Sequence, residues 1–186
     1  MARPGTVAED QVLGRCERAA LAAALTIAGP LGASVSALTV GPARRDDRVL
    51  AMALRAGCRR AVRVWDDALD ALDYYGLARV IAGAVKKIDG ELVLCGDRSH
   101  DEGQGAIGPA LAELLAVPHL TGVIDLAADG GALLAERRAD GWHHRYRVTW
   151  PAVICMQRMP TQTDLLTPAA GDGAAAQARQ LIDRVG

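Results

Sequence analysis

Apolar positions along this chain follow a helical period and a short-run period in turn. Over residues 8–28, Leu13, Ala20, Ala24 and Ile27 recur at helical spacing with Leu21 and Leu25 beside them, which predicts a helix stopped by Gly29-Pro30. Residues 33–40 are a brief apolar run closed by Gly41-Pro42 and predict a buried strand. Residues 44–56 set Val49, Leu50, Ala53 and Leu54 on one helical face, with Gly57 as the stop. Residues 61–65 predict a second strand. The clearest helix covers residues 73–88, with Leu77, Val80, Ile81, Ala84, Val85 and Ile88 on one face. Its last turn carries Lys86 and Lys87, where the helix dipole favours cations. A third strand is expected over residues 91–95 and a fourth helix over 104–116, before Pro118 opens the next segment.

Strand and helix in alternation imply parallel strands joined by right-handed helical crossovers. Ligands of such sheets sit beyond the carboxyl ends of the strands, here Val40-Gly41 and Cys95-Gly96. After residue 118 the period changes. Residues 120–126, 133–138, 142–149 and 152–156 predict strands, with Asp129-Gly130-Gly131 and Asp140-Gly141 as hairpin turns. This part reads as an antiparallel extension rather than another strand–helix unit. From Pro160 the chain is rich in Thr, Pro, Gly and Ala and is expected to be an extended arm, with residues 174–184 compatible with a short helix. The division is therefore an α/β domain over residues 1–159 and a C-terminal arm over 160–186.

The junction after the third strand carries the chemistry. The run Leu92 to Cys95 ends at Gly96, a polar loop with two further glycines follows, and a helix opens. First-turn amides of a helix lack internal partners and meet the positive end of its dipole, so a phosphate is expected on this loop. Gly96 and Gly108 are expected to let backbone approach that phosphate.

Composition narrows the picture. The 186 residues are 51% apolar, enough for one globular domain with its own core. A net charge of −1 argues against non-specific nucleic-acid binding. There is no apolar run long enough to span a membrane and no apolar core of a signal peptide. Cys16, Cys58, Cys95 and Cys155 are widely spaced without a CxxC pair, as expected of reduced thiols in a cytoplasmic protein rather than zinc ligands. Phenylalanine is absent and alanine abundant, so helices and sheet approach closely and each contact buries little apolar area. Help from a partner surface fits that texture.

Other polar groups favour plain readings. Asp101-Glu102 has the form of an acid/base pair, but no positioned nucleophile accompanies it, and acids favour helix starts in any case. His143 and His144 are neighbours on an expected strand, point to opposite faces and cannot share one metal ion. The basic, aromatic stretch over residues 137–147 reads as a subunit interface or a charge-protected edge strand. His100 and His119 lie near the loop, and Tyr74-Tyr75 opens a helix against which one tyrosine is expected to pack.

Three stretches resemble the β-subunit of electron-transfer flavoproteins. TVGPARRDDRVLAMALRAGCRRAVRV (residues 39–64) resembles that family's strand, Gly-Pro, helix and strand. ELVLCGDRSHDEGQGAIGPALAELLAVPHLTGV (residues 91–123) resembles its nucleotide loop and following helix, and WPAVICM (residues 150–156) its Pro-Ala-Val strand. The middle stretch is the specific one, and the resemblance covers roughly residues 14–157.

The resemblance implies a parallel sheet between helix layers with the Rossmann-like topology of adenine-nucleotide α-hydrolases, plus the antiparallel extension. It implies a non-catalytic, AMP-binding subunit that forms a heterodimer with an FAD-carrying α-subunit. That flavin takes electrons from dehydrogenases and passes them to an acceptor such as a quinone-linked partner. The implied AMP contacts are Val40 and the loop Gly96, Asp97, Arg98, Ser99, His100, Asp101, Glu102, Gly103, Gln104, Gly105, Ala106 and Ile107. Asp101 falls on the family's principal loop aspartate and Gly108 on the glycine that opens the helix.

The chain also departs from the pattern. Gly103 stands where the family has a second loop acid, and Ala106 where it has glutamine. AMP would therefore be held by fewer side chains and more by backbone amides. The family's first strand has no counterpart, since residues 1–11 contain no apolar run. A sheet lacking a central strand leaves unpaired backbone groups. The competing reading is a stand-alone adenine-nucleotide module of the universal-stress type, whose GxxGxxxxxxGS phrase is not found. A nucleotide-hydrolysing ligase of the related group needs an SGGxDS loop, also not found.

Overall fold

The computed structural model describes residues 13–98, 105–157 and 182–185. The element order is α1 (Arg15–Leu31), β1 (Ser36–Val40), α2 (Ala43–Ala56), β2 (Arg60–Val64), a 3-10 turn (Asp67–Ala71), α3 (Tyr74–Lys87), β3 (Leu92–Gly96), α4 (Ile107–Leu115), β4 (His119–Asp129), β5 (Ala132–Ala139), β6 (Trp142–Val148), β7 (Ala152–Met156) and β8 (Ile182–Val185). The fold is α/β, with one parallel and one mixed sheet.

The alternation expected of the first part holds, with shifted boundaries. Helix α1 does not stop at Gly29-Pro30 but runs on to Leu31. Proline in the last turn forfeits a single intrahelical bond. Gly32, at φ 61°, then closes the end in the left-handed conformation, with Gly32 N–H donating to Gly29 C=O and Ala33 N–H to Ala28 C=O. Asp73 caps α3, its carboxylate accepting from Gly76 N–H at 2.7 Å. The face expected of α3 is inward, with Ala84 and Val85 buried.

The sheet arrangement differs from the expectation in three ways. It is split: β1, β2 and β8 form one three-stranded sheet, and β3, β7, β4, β5 and β6 form another. Strand β1, expected to be buried, is only half-buried, because it is a terminal strand of its sheet. The region after residue 118 is antiparallel only in the β4–β5 and β5–β6 pairings. Strand β7 returns between β3 and β4 and runs parallel to both. All five residues of β7 are buried, which is the pattern of a strand covered on both faces. Its alternate residues enter two cores. Ile154 and Met156 pack with Ala19, Ala23 and Ile27 of α1, while Val153 and Cys155 pack with Leu111 and Ala112 of α4 and Ala82 of α3.

The helix considered for residues 174–184 is overturned at its end, where residues 182–185 are a strand parallel to β2. The open edge of β2 offers backbone partners that a short local helix does not, and pairing wins over local propensity. Residues 1–12 and 158–181, including the rest of the arm, lie outside the described residues.

The two hairpin turns form as expected. Asp140 and Gly141 have φ of 52° and 80°, and Gly130 and Gly131 have 51° and 82°, the paired positive values that suit the twist of adjoining strands. Strand β6 is the outer edge and almost wholly exposed, Trp142 at 70%. His143 and His144 face opposite ways. His143 hydrogen-bonds to Glu136 and lies against Arg138, whereas His144 stacks on Tyr146 with ring centroids 6.4 Å apart.

Candidate functional site

Three helices begin beside the carboxyl ends of β1 and β3 without a side-chain cap. Helix α2 starts directly after the carboxyl end of β1, and α4 follows the loop that leaves β3. Helix α1 starts against Gly96, where an added Cβ would lie 3.0 Å from Cys16 Cβ and 2.9 Å from Glu17 Oε1. The capping positions are Gly14, Pro42 and Ala106, none of which carries a group that could bond the first-turn amides. The 3-10 turn and α3, by contrast, are each closed by an aspartate, Asp66 and Asp73. The amides of Ile107 and Gly108 therefore open α4 without a cap from Ala106, and Pro109 adds no N–H. Such an arrangement favours a bound anion over a bound cation.

A cavity of about 860 Å³ reaches this place, touching Leu13, Glu17, Thr39, Gly96, Gly105 and Ile107. Its size is that of a small-molecule site. Glu17 was not singled out by the sequence, although it was detectable there. It interrupts an otherwise apolar stripe of α1 formed by Leu13, Ala20, Ala24, Ile27 and Leu31, all of which line the same cavity. Its Oε2 is buried and has no hydrogen-bond partner among the described residues.

The loop residues divide sharply. Val40 ends β1 opposite Val64, and Gly41 N–H donates to Val64 C=O at 3.1 Å. Asp97 serves the protein itself. Its N–H donates to Met156 C=O at 2.9 Å, and its Oδ1 accepts from Gly122 N–H at 2.7 Å. Gly122 has φ 67°, and the pairing of β4 with β7 shifts register between Leu120 and Val123. Asp97 thus pins the irregularity in β4 that its neighbour strand cannot satisfy. Arg98 is exposed and reaches Asp97 at only 4.0 Å. Ser99, His100, Asp101, Glu102, Gly103 and Gln104 lie outside the described residues. Gly105, Ala106 and Ile107 bring the chain back toward β3, Gly105 so closely that a Cβ would stand 2.9 Å from Asp97 C=O.

The glycines also have a different reason from the one expected. At Gly108 a Cβ would lie 2.2 Å from Cys155 Sγ and 3.2 Å from Cys95 Sγ, so this glycine lets α4 sit directly on β7 and β3. At Gly96 the crowding comes from α1. At both positions helix–sheet packing by itself forbids a Cβ. Beneath α4, the Cys95 and Cys155 sulfurs are 3.5 Å apart and both thiols are free. The hydrogen bond to Cys155, with burial, pushes the Cys95 thiol well above its usual range. Among the described residues no group of three His, Cys, Asp or Glu side chains could hold a metal ion.

Residues 5–181 match the family model described as the electron transfer flavoprotein domain. The chain belongs to the electron transfer flavoprotein family. It is 33% identical over 128 residues to an electron transfer flavoprotein subunit beta from Bacillus subtilis, covering 68% of this chain and 49% of that one. It is 34% identical over 153 residues to the subunit beta from Mycobacterium bovis, covering 79% of this chain and 57% of the relative. The subunit beta from Methylophilus methylotrophus is 32% identical over 126 residues, 66% of this chain and 47% of its own length. The chain thus spans about half the length of these relatives. No helix among the described residues is long and apolar enough to cross a membrane.

Proposed function

We propose that this chain is the β-type half of an electron-transferring flavoprotein, a cytoplasmic adenine-nucleotide-binding subunit without chemistry of its own. It pairs with an α-subunit-like chain that holds FAD. The flavin there accepts electrons from a dehydrogenase and gives them to a redox partner, and this chain supports the assembly. Its core is read as the helix–sheet–helix layering of the Rossmann-like group, because β7 is covered by α1 on one face and by α4 on the other.

The observation that carries the reading is that the helices beginning at the carboxyl ends of β1 and β3 are uncapped. A phosphate there would take the amides of Ile107 and Gly108, with Arg98 and the loop completing the contact. AMP is the nucleotide proposed. The departures at Gly103 and Ala106 leave backbone as its main anchor. Bound nucleotide would act structurally, stabilising the folded state by mass action. The exposed aromatic and basic face of β6 is assigned to a protein partner.

The test is purification of the native assembly, intact mass spectrometry, and identification of small molecules after denaturation. The expected result is one AMP on this chain and one FAD on a companion chain. Assembly without a flavin-bearing companion, and with no nucleotide released, would refute the proposal.

A further inference from the structure

Beneath the first turn of α4 lie two sulfurs that the nucleotide-binding reading does not use. Cys95 of β3 and Cys155 of β7 are directly paired residues of neighbouring parallel strands. Paired strands lie about 4.8 Å apart, within the Cα separation that two bridged cysteines require. Both side chains leave the sheet on the face covered by α4, where they pack with Leu111 and Ala112. Their sulfurs are 3.5 Å apart, the Cys95 S–H donating to Cys155 Sγ. Gly108 closes the space above them, since a Cβ there would meet both sulfurs. Backbone pairing holds the two residues side by side from below, and helix packing holds them from above.

The other cysteines set this pair apart. All four are free thiols. Cys16 belongs to α1, which packs on the opposite face of β7, so the sheet separates it from the pair. Cys58 lies between α2 and β2, beside the other sheet, and burial pushes its thiol up to about 11. Burial of that kind makes a thiol inert. In the pair, the hydrogen bond from Cys95 lowers the Cys155 thiol below its usual value, against the opposing effect of burial. Loss of one proton therefore leaves a thiolate on Cys155 that keeps its bond from Cys95. Cys155 is buried and Cys95 half-buried, so a bulky disulfide cannot reach them and a small oxidant fits better. Sulfurs on directly paired residues leave the sheet almost side by side, so a bridge between them carries strain, and strained bridges are the readily reduced ones.

We propose that Cys95 and Cys155 are a peroxide-sensitive dithiol that closes reversibly into a disulfide joining β3 to β7. The Cys155 thiolate attacks one oxygen of hydrogen peroxide, the O–O bond breaks, and the departing hydroxide takes up the proton lost earlier and leaves as water. Cys155 is then a sulfenic acid. The Cys95 sulfur attacks that sulfur, the S–O bond breaks, and this second hydroxide leaves as water with the Cys95 proton. The two sulfurs give up two electrons in all, and the peroxide is reduced to two waters.

The test treats the full, reduced chain with hydrogen peroxide at low protein concentration, blocks remaining thiols under denaturing conditions, and maps linked peptides by mass spectrometry. The expected product has lost two hydrogens, joins Cys95 to Cys155 in at least about tenfold excess over any other pairing, and regains both thiols with dithiothreitol. In urea the same treatment should spread pairings over all four cysteines, because the fold no longer selects the partner. A bridge to Cys16 or Cys58, the same spread of pairings in folded and unfolded chain, oxidation of either sulfur to sulfinic acid in place of the bridge, or no loss of these two thiols overturns the proposal. The readout needs neither nucleotide nor flavin, so its failure leaves the functional reading standing, and failure of that reading leaves the dithiol standing.

Discussion

Gly108→Ala separates packing from ligand approach. The added Cβ would stand 2.2 Å from Cys155 Sγ and 3.2 Å from Cys95 Sγ. Ordinary carbon contacts need about 3.5–4.0 Å, so α4 must lift by more than about 1 Å or Cys155 must turn toward its neighbour. Cys155 cannot turn freely, since its sulfur already lies 3.5 Å from that of Cys95 and the residue is fully buried. Overpacking of this kind costs about 1–3 kcal/mol. Replacing glycine by alanine in a helix returns up to about 1 kcal/mol. The overpacking should win by about 1–2 kcal/mol, a fall of roughly 2–8 °C in melting temperature for a chain of this size. Adding Cys155→Ala removes the obstructing sulfur, so the double variant should be more stable than Gly108→Ala alone. Urea unfolding of both variants measures this coupling. Nucleotide affinity, measured where each is folded, should fall less in the double variant than in Gly108→Ala alone, because α4 and its first amides then keep their place. A stabilised Gly108→Ala, or one that keeps its stability but loses nucleotide, would refute the packing argument.

Three further outcomes follow from the same geometry. Asp97→Ala should lose about 1.5–3 kcal/mol in urea unfolding, because the carboxylate is 13% exposed and holds Gly122 N–H, while Asp97→Asn keeps an acceptor and should lose less. Ala106→Asp places a carboxylate at the start of α4, where the helix dipole favours negative charge. It should stabilise the nucleotide-free chain by about 0.5–1 kcal/mol and weaken nucleotide binding, and a variant that binds more tightly would contradict the anion site. The hydrogen bond from His143 holds the Glu136 carboxyl below its usual value of 4.5. A depressed value means that its contribution is present above about pH 4.5 and is lost as pH falls through the lowered value. In His143→Gln that loss should shrink in acid titrations of stability, Arg145 and Arg138 retaining part of it.

The sequence carried the local structure well and the pairing poorly. Gly57, Asp73 and the Asp140-Gly141 turn each act through bonds to near neighbours, so their roles are readable from a few residues. Strand order is not local. Nothing in Ala152–Met156 announces that it returns between β3 and β4, although its lack of polar alternation was a sign of two buried faces. The division into two sheets was not legible, because it depends on which strands pair and not on any local pattern. At the candidate site, Gly14, Pro42 and Ala106 were readable as residues unable to cap, whereas the bond that Asp97 accepts from distant Gly122 was not. Glycines fail as indicators for the same reason, since what forbids a Cβ at Gly108 is a sulfur 47 residues away in sequence.

Because no ladder bond joins the β1 sheet to the β3 sheet among the described residues, these form two cooperative blocks rather than one. Among the described residues helix packing, chiefly α3 against both β1 and α4, ties them together. Heating the isolated chain should therefore melt it in overlapping stages, with a calorimetric enthalpy larger than the value taken from the steepness of the transition.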